Sequence, residues 1–254
     1  METKPQTFIF REPRSAAELE ALLRVRYKAY SESDFKFSLR TNVYQLEVDE
    51  FDFRAAFIGV FCKEGNQEIA VGSIRIILNS EGRYGNWLTT ILKNKPRLKV
   101  KKEQRFDYFI EGICKQKQPV ISTFIRSEQA KNKCVGEAGR LAIDKRFASL
   151  KLSSFFIEAM FVFGFEIVDV VLIRVKENVS KVYQRYGFQP IPNTFSILHG
   201  VPNQPHYVTP ALFSSLITKK YDKLRTVYLK TGQICYHTDQ ANNFYLEKYQ
   251  AAAL

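Results

Sequence analysis

The stretch Gly136–Asp144, GEAGRLAID, decides how the chain is read. Its small and apolar residues follow the pattern of a buried strand, yet it carries Glu137 and Arg140 three positions apart. Side chains alternate across a strand, so a regular strand would send these two charges to opposite faces. A simple surface ion pair is therefore not expected. Something local must justify the two charges.

Working outward, LSSFFIEAMFVFGFEI (152–167) is apolar on nearly all sides, which predicts a helix buried on most of them. VVLIRV (170–175) reads as a buried strand, and NVSKVYQRYGFQPI (178–191) as a short helix, a cap at Gly187 and a final strand. Upstream, TFIFRE (7–12) suits a strand. Ser15 with Glu18 three residues on reads as a capping box, opening a helix that carries Leu19, Leu22, Leu23, Arg26, Tyr27 and Tyr30 at amphipathic spacing. Residues 55–62 and 68–78 read as a hairpin turning at Glu64-Gly65-Asn66. Residues 80–133 are broken by Gly82, Gly85, Pro96 and Pro119 and contain a basic run from Arg97 to Lys102. Past residue 198, HGVPNQPHYVTP is interrupted by prolines, and PALFSSLITKKYDKL and TDQANNFYLEKYQAAAL read as helices. The expectation is one α/β (α+β) domain over 1–254, with a core of about 7–195 and a helical C-terminal extension of about 196–254.

With 254 residues, 45% of them hydrophobic, the chain can bury a sizeable core. Four cysteines without a CxxC and only three histidines argue against a zinc site or a disulfide framework, so no metal is expected. The N-terminal segment lacks a long apolar run and nothing approaches the roughly 20 apolar residues of a membrane span, so the protein is expected to be soluble and unsecreted. A net charge of +12 predicts an anionic partner: nucleic acid, an acidic membrane, a phosphorylated cofactor or an acidic protein. No helix-turn-helix or aromatic RNA-binding signature accompanies it, so nucleic acid is not expected. A basic membrane-docking protein without catalysis is an alternative of another class.

Four further groups stand beside the central stretch: Arg26 with Tyr30; Glu47, Asp49 and Asp52 in EVDEFD, which has four acids in six positions; Arg75 in GSIR; and Tyr183 in VYQRYGF. Taken singly, the acids fit an exposed loop, an amine cage or an arginine-paired hinge. Arg75 alone fits a side chain reaching out at a sheet edge. Tyr183 alone fits core packing.

In order and spacing, these pieces resemble the GNAT N-acyltransferase superfamily over about residues 7–195. The similarity is greatest to the branch of acyl-homoserine-lactone synthases and long-chain N-acyl amino acid synthases. In the lactone synthases the corresponding pattern is an arginine and an aromatic in the first helix, an acidic "E.D.FD" loop, an arginine in "G..R" and an "E..R" strand. Here these positions are Arg26 and Tyr30, Glu47, Asp49 and Asp52, Arg75, and Glu137 with Arg140.

The resemblance implies a GNAT-like, mostly antiparallel sheet flanked by helices, in which the "E..R" strand splays from VVLIRV at a bulge and a pantetheine arm inserts; such a bulge, eased by Gly136 and Gly139, would let both Glu137 and Arg140 reach useful positions. It implies an N-acyltransferase with Glu137 as general base and Tyr183 as the proton donor to the leaving thiolate. Arg75 and Arg140 would be structural or bind a carboxylate, and Leu141, Ile143, Arg146, Phe155 and Phe156 would contact the acyl-pantetheine. Two departures from the family pattern narrow this. The tryptophan after the first helix is replaced by Phe35 or Phe37, with Trp87 elsewhere, which argues against the lactone product made from S-adenosylmethionine. The turn Arg146–Leu152 has no glycine, unlike the pyrophosphate-holding turns of acetyl-CoA users. That favours acyl-phosphopantetheine on an acyl carrier protein over acyl-CoA, with docking on Arg97, Lys99, Lys101, Lys102 and Lys151. The acceptor would be a small amine, the location a bacterial cytoplasm, and the lipid product would bring peripheral membrane contact.

Overall fold

A strand too apolar for the surface and an all-round apolar helix must share one core, and they do. The computed structural model describes residues 5–33, 39, 41–80, 82–100, 106–150, 152–198, 200–239 and 243–247. The chain opens with β1 (Thr7–Arg11) and α1 (Ala16–Ser31). Ser15 caps α1 by accepting from the Glu18 N–H, as the sequence predicts. The reciprocal half differs: the Glu18 carboxylate accepts from the Arg14 N–H and binds Arg11, whose guanidinium is a stronger partner than the cap N–H.

The hairpin is β2 (Ala55–Glu64) and β3 (Gln67–Ile77), with Gly65 at φ 61° in the turn. The stretch 80–133 forms three helices, α2 (Gly85–Lys93), α3 (Phe109–Ile113) and α4 (Gln118–Gln129). Next come β4 (Val135–Ile143), α5 (Leu152–Gly164), β5 (Val170–Lys176), α6 (Ser180–Arg185) and the short β6 (Gln189–Pro190).

The segment after residue 195 departs from its expectation. It holds the helix α7 (Ser215–Thr231), but also β7 (Ser196–Leu198), β8 (Val201–Val208), β9 (Ile234–Thr238) and β10 (Phe244–Leu246). The sheet order is β10-β9-β1-β2-β3-β4-β5-β8-β6, with β7 on β8. The C-terminal strands therefore fill one edge and enter the other half of the sheet. The region read as a final helix, from Thr238 on, contains β10 in its described part. All described pairings are antiparallel except β4 with β5.

The two faces of the sheet carry separate clusters. On one, α5 and α7 pack over Phe10, Ile58, Val60, Ile74, Ile76, Val171 and Ile173. On the other, α1 and α2 cover Phe57 and Phe61, while α3 and α4 cover Ile77, Val135, Val170 and Leu172. No helix among the described residues is long and apolar enough to cross a membrane. The fold is an α/β arrangement: a largely antiparallel sheet flanked by helices.

Candidate active site

The break expected in the GEAGRLAID strand is present. Ser73 pairs with Ala142 and Arg75 with Gly139, so one residue of β3, Ile74, opposes two of β4, Arg140 and Leu141, and one residue of β4 is extra. The extra residue is Arg140, whose φ of 57° lies in the left-handed region, unusual for a non-glycine side chain. The left-handed position is thus held by Arg140 and not by the glycine beside it. Gly136 has a different reason to be small: a Cβ there would lie 2.9 Å from both Ile76 Cγ2 and Val168 Cγ1. The bulge puts Glu137 and Arg140 on the same face and turns Leu141 and Ile143 to the other, against the α5 cluster.

A second break lies on the opposite edge of β4. Its parallel pairing with β5 runs only from Val135–Val170 to Glu137–Leu172, after which the two strands part. Glu137 therefore marks the apex of a split in the sheet. Beyond it, the facing edges of β4 and β5 carry backbone groups with no partner in the other strand.

The acids of EVDEFD are neither exposed nor free. Arg26 bonds Asp52 at 2.8 Å and also binds Glu47. Arg75 grips Asp49 through both terminal nitrogens, at 2.5 and 2.8 Å, and reaches Asp52 at 2.6 Å. Arg140 joins them through Asp49 at 3.0 Å and Glu47 at 3.3 Å. Asp49 and Asp52 also brace their own turn, Asp49 Oδ1 accepting from the Phe51 N–H and Asp52 Oδ2 from the Asp49 N–H.

This is the arginine-paired hinge among the readings open at the sequence level. Arg75, at 1% exposure, does not reach out at a sheet edge. The three guanidiniums balance the three carboxylates, which is how charges survive burial. Burial alone would raise the Asp49 pKa, but the charges of Arg75 and Arg140 outweigh it and hold the group well below the usual range. The guanidinium of Arg140 also lies over the rings of Phe109, at 5.0 Å, and Tyr30, at 5.6 Å.

Glu137 stands apart from this network. It is 3% exposed, has no ion pair among the described residues, and accepts one hydrogen bond, from the Ile110 N–H of α3 at 3.0 Å. Burial raises its pKa to about 7, against the lowering effects of that bond and of the charges on Arg75 and Arg174. A carboxyl group so poised can take a proton at neutral pH.

The other expected residues fall in several places. Tyr183 is half-buried on α6, edge-on to Phe188 at 5.6 Å in the α5 cluster, across the sheet from Glu137; burial raises its pKa. Phe156 is fully buried against Phe10, and Phe155 stacks on Tyr236 and Phe244, so both are core residues. Arg146 is exposed and bonded to Asp144. Arg97 and Lys99 are exposed, while their neighbours Leu98 and Val100 pack on the α1–α2 cluster. Lys101, Lys102, Lys151, Phe35 and Phe37 lie outside the described residues.

Two contributors had no voice in the motif reading. One is α3, whose Ile110 N–H anchors Glu137 and whose Phe109 covers Arg140. The other is Arg174, hidden in what reads as a plain apolar strand; a lone charge in VVLIRV is the signal that could have found it.

No family model and no curated protein matches the sequence. Solved structures do. The structure of a CoA-dependent acyl-homoserine lactone synthase, BjaI, with SAM and isopentyl-CoA aligns over 82% of this chain and 85% of that one, with 13% identity and a TM-score of 0.51. The same synthase with MTA aligns over 85% of this chain and 88% of that one, with 14% identity and a TM-score of 0.51. The structure of FeeM, an N-acyl amino acid synthase from uncultured soil microbes, aligns over 85% of this chain and 98% of that one, with 15% identity and a TM-score of 0.48. At such identities the likeness is one of fold, shared with that lactone synthase.

Proposed function

We propose that this protein transfers a fatty acyl group from a phosphopantetheine thioester on an acyl carrier protein to the amine of an amino acid, giving an N-acyl amino acid. The observation that carries the reading is Glu137: a buried carboxyl group with a pKa of about 7 at the apex of the β4–β5 split.

The chemistry follows from these parts. An extended pantetheine arm pairs with the unpartnered edges of β4 and β5, as a missing strand would. That places the thioester carbonyl near Glu137. The acceptor amine reaches the site protonated, and Glu137 in its charged form takes the proton, directly or through a water. The nitrogen lone pair attacks the carbonyl carbon and the oxyanion forms. The bulge at Arg140 takes backbone groups out of the β3–β4 ladder, the kind of donor an oxyanion requires. The C–S bond then breaks as the nitrogen gives up its second proton; one of the two protons from the nitrogen ends on the leaving thiolate and the other passes from Glu137 to solvent, while Tyr183, the donor the resemblance implies, lies across the sheet. Arg26, Arg75 and Arg140 hold Glu47, Asp49 and Asp52 and so fix the floor beneath Glu137. The glycine-free turn around Arg146 and the exposed bases Arg97 and Lys99 support a carrier protein over free CoA as the donor.

The test is mass spectrometry of organic extracts from cells overexpressing the wild type and Glu137→Gln. N-acyl amino acids are expected with the wild type and reduced at least ~100-fold with the variant. Acyl-homoserine lactones in place of N-acyl amino acids would move the acceptor to S-adenosylmethionine. An active Glu137→Gln enzyme would reject the base.

A further inference from the structure

Arginine is the recurring residue on the acid-lined face of this sheet, and four of them gather there: Arg26, Arg75, Arg140 and Arg174. The first three are spent on Glu47, Asp49 and Asp52. The fourth is not. Among the described residues Arg174 has no ion pair and no hydrogen bond.

Its position is specific. It lies on β5, two residues past Leu172, where pairing with β4 ends, and so at the wall of the split. Leu172 faces the α3–α4 cluster, and strand alternation gives Arg174 the same face. Its charge is felt by Glu137 and Cys114, and it in turn feels Arg140 and Tyr30. On the β8 side its neighbour is Pro205, an uncharged residue.

We propose that Arg174 receives the carboxylate of the acceptor, making the site selective for amino acids over plain amines; this rests on the N-acyltransferase reading above. With the three arginine–carboxylate sets neutral among themselves, Glu137 and Arg174 are the remaining charged pair at the apex. An α-amino acid is a zwitterion of matching sense: its ammonium turns to Glu137, which removes a proton, and its carboxylate to the guanidinium fork. Burial without a partner disfavours the charged form of Arg174 and lowers its pKa, and an incoming anion relieves that cost. S-adenosylmethionine carries the same amino acid group, so the inference is about the carboxylate and not about which acceptor bears it.

The test separates this from the transfer reading. Calorimetry would compare N-dodecanoylglycine with N-dodecanoylglycinamide, which has the same shape without the charge, on the wild type, Arg174→Gln and Arg174→Lys. Transfer assays would run alongside, offering the wild type a set of free amino acids and their amides, and S-adenosylmethionine. The wild type is expected to bind the acid roughly 10- to 100-fold more tightly than the amide, the range for a bond to a charged group. Arg174→Gln is expected to lose that preference with amide affinity unchanged, and Arg174→Lys to keep part of it. A wild type that transfers acyl groups but binds both ligands equally overturns the assignment and leaves the transfer reading standing. A preference that survives Arg174→Gln, or equal weakening of both ligands, also overturns it. A wild type that neither transfers nor binds overturns both.

Discussion

Glu137 meets opposed demands, since burial favours its neutral form and the proposed base role needs the charged one. In an unfolded chain a glutamate titrates near ~4.3, while in the fold Glu137 does so at about 7. Between those values the folded state holds a proton that the unfolded state has released. Unfolding free energy therefore falls as pH rises through that window, by at most about 3 to 4 kcal/mol. Asp49 has the opposite sign: its pKa is depressed in the fold, so its stabilising contribution is present above ~3.9 and lost only as the solution becomes more acidic. Glu137→Gln removes the titration while keeping an oxygen to accept from the Ile110 N–H. The variant should match the wild type in urea unfolding at pH 5 and exceed it at pH 8 by roughly 2 to 3 kcal/mol. Equal stability at both values would mean that Glu137 titrates as an ordinary surface carboxylate. In the active wild type, kcat/KM should rise with pH through about 7, as the base form of Glu137 appears.

The strand β4 shows what could and could not be read in advance. Alternation made Glu137 and Arg140 conflict, so a local irregularity was legible, and the resemblance implied that it is a bulge. Which residue would adopt the left-handed conformation was not, because Gly139 is next door and has the lower intrinsic cost. Arg140 occupies it because Glu47 and Asp49, distant in sequence, pull its guanidinium down to them. That term is separable from the backbone term. Arg140→Ala and Arg140→Gly both delete the ion pairs and leave two acids short of a partner, and both should destabilise by roughly 2 to 4 kcal/mol. Only glycine relieves the left-handed backbone, so Arg140→Gly should be the more stable of the two by about 1 kcal/mol in chemical denaturation. Elements were hidden for a similar reason. Pro202 and Pro205 fall inside β8, and prolines argue against an inner strand until pairing with β5, β6 and β7 is known. In α4, Ile121 and Ile125 are spaced one helical turn apart, but the prolines and glycines around them masked the period.

At the level of the molecule, a sheet split between β4 and β5 must be held open by what flanks it. One flank is β1 to β4, extended at its edge by β9 and β10; the other is β5, β8, β6 and β7. The C-terminal segment thus builds both flanks, although its sequence reads as an addition to a finished core. On the proposed function, such an opening would admit the long acyl-pantetheine, and the charge of the chain would suit an acidic carrier protein. A net charge of +12 attracts an acidic partner at a distance, but orientation needs basic residues near the entrance. Arg97 and Lys99 are exposed on a segment anchored by Leu98 and Val100, so their charges can be reversed without touching the core. Arg97→Glu with Lys99→Glu should raise the KM for acyl carrier protein by about 10-fold at low salt, with kcat within about twofold, because rim charges act on encounter more than on chemistry. The difference should shrink to about twofold or less at 0.5 M salt, where screening reaches only a few ångströms. Kinetics unchanged by the double reversal would move docking to another basic surface, of which α7, with Lys219, Lys223 and Lys230 exposed, is the largest helical example.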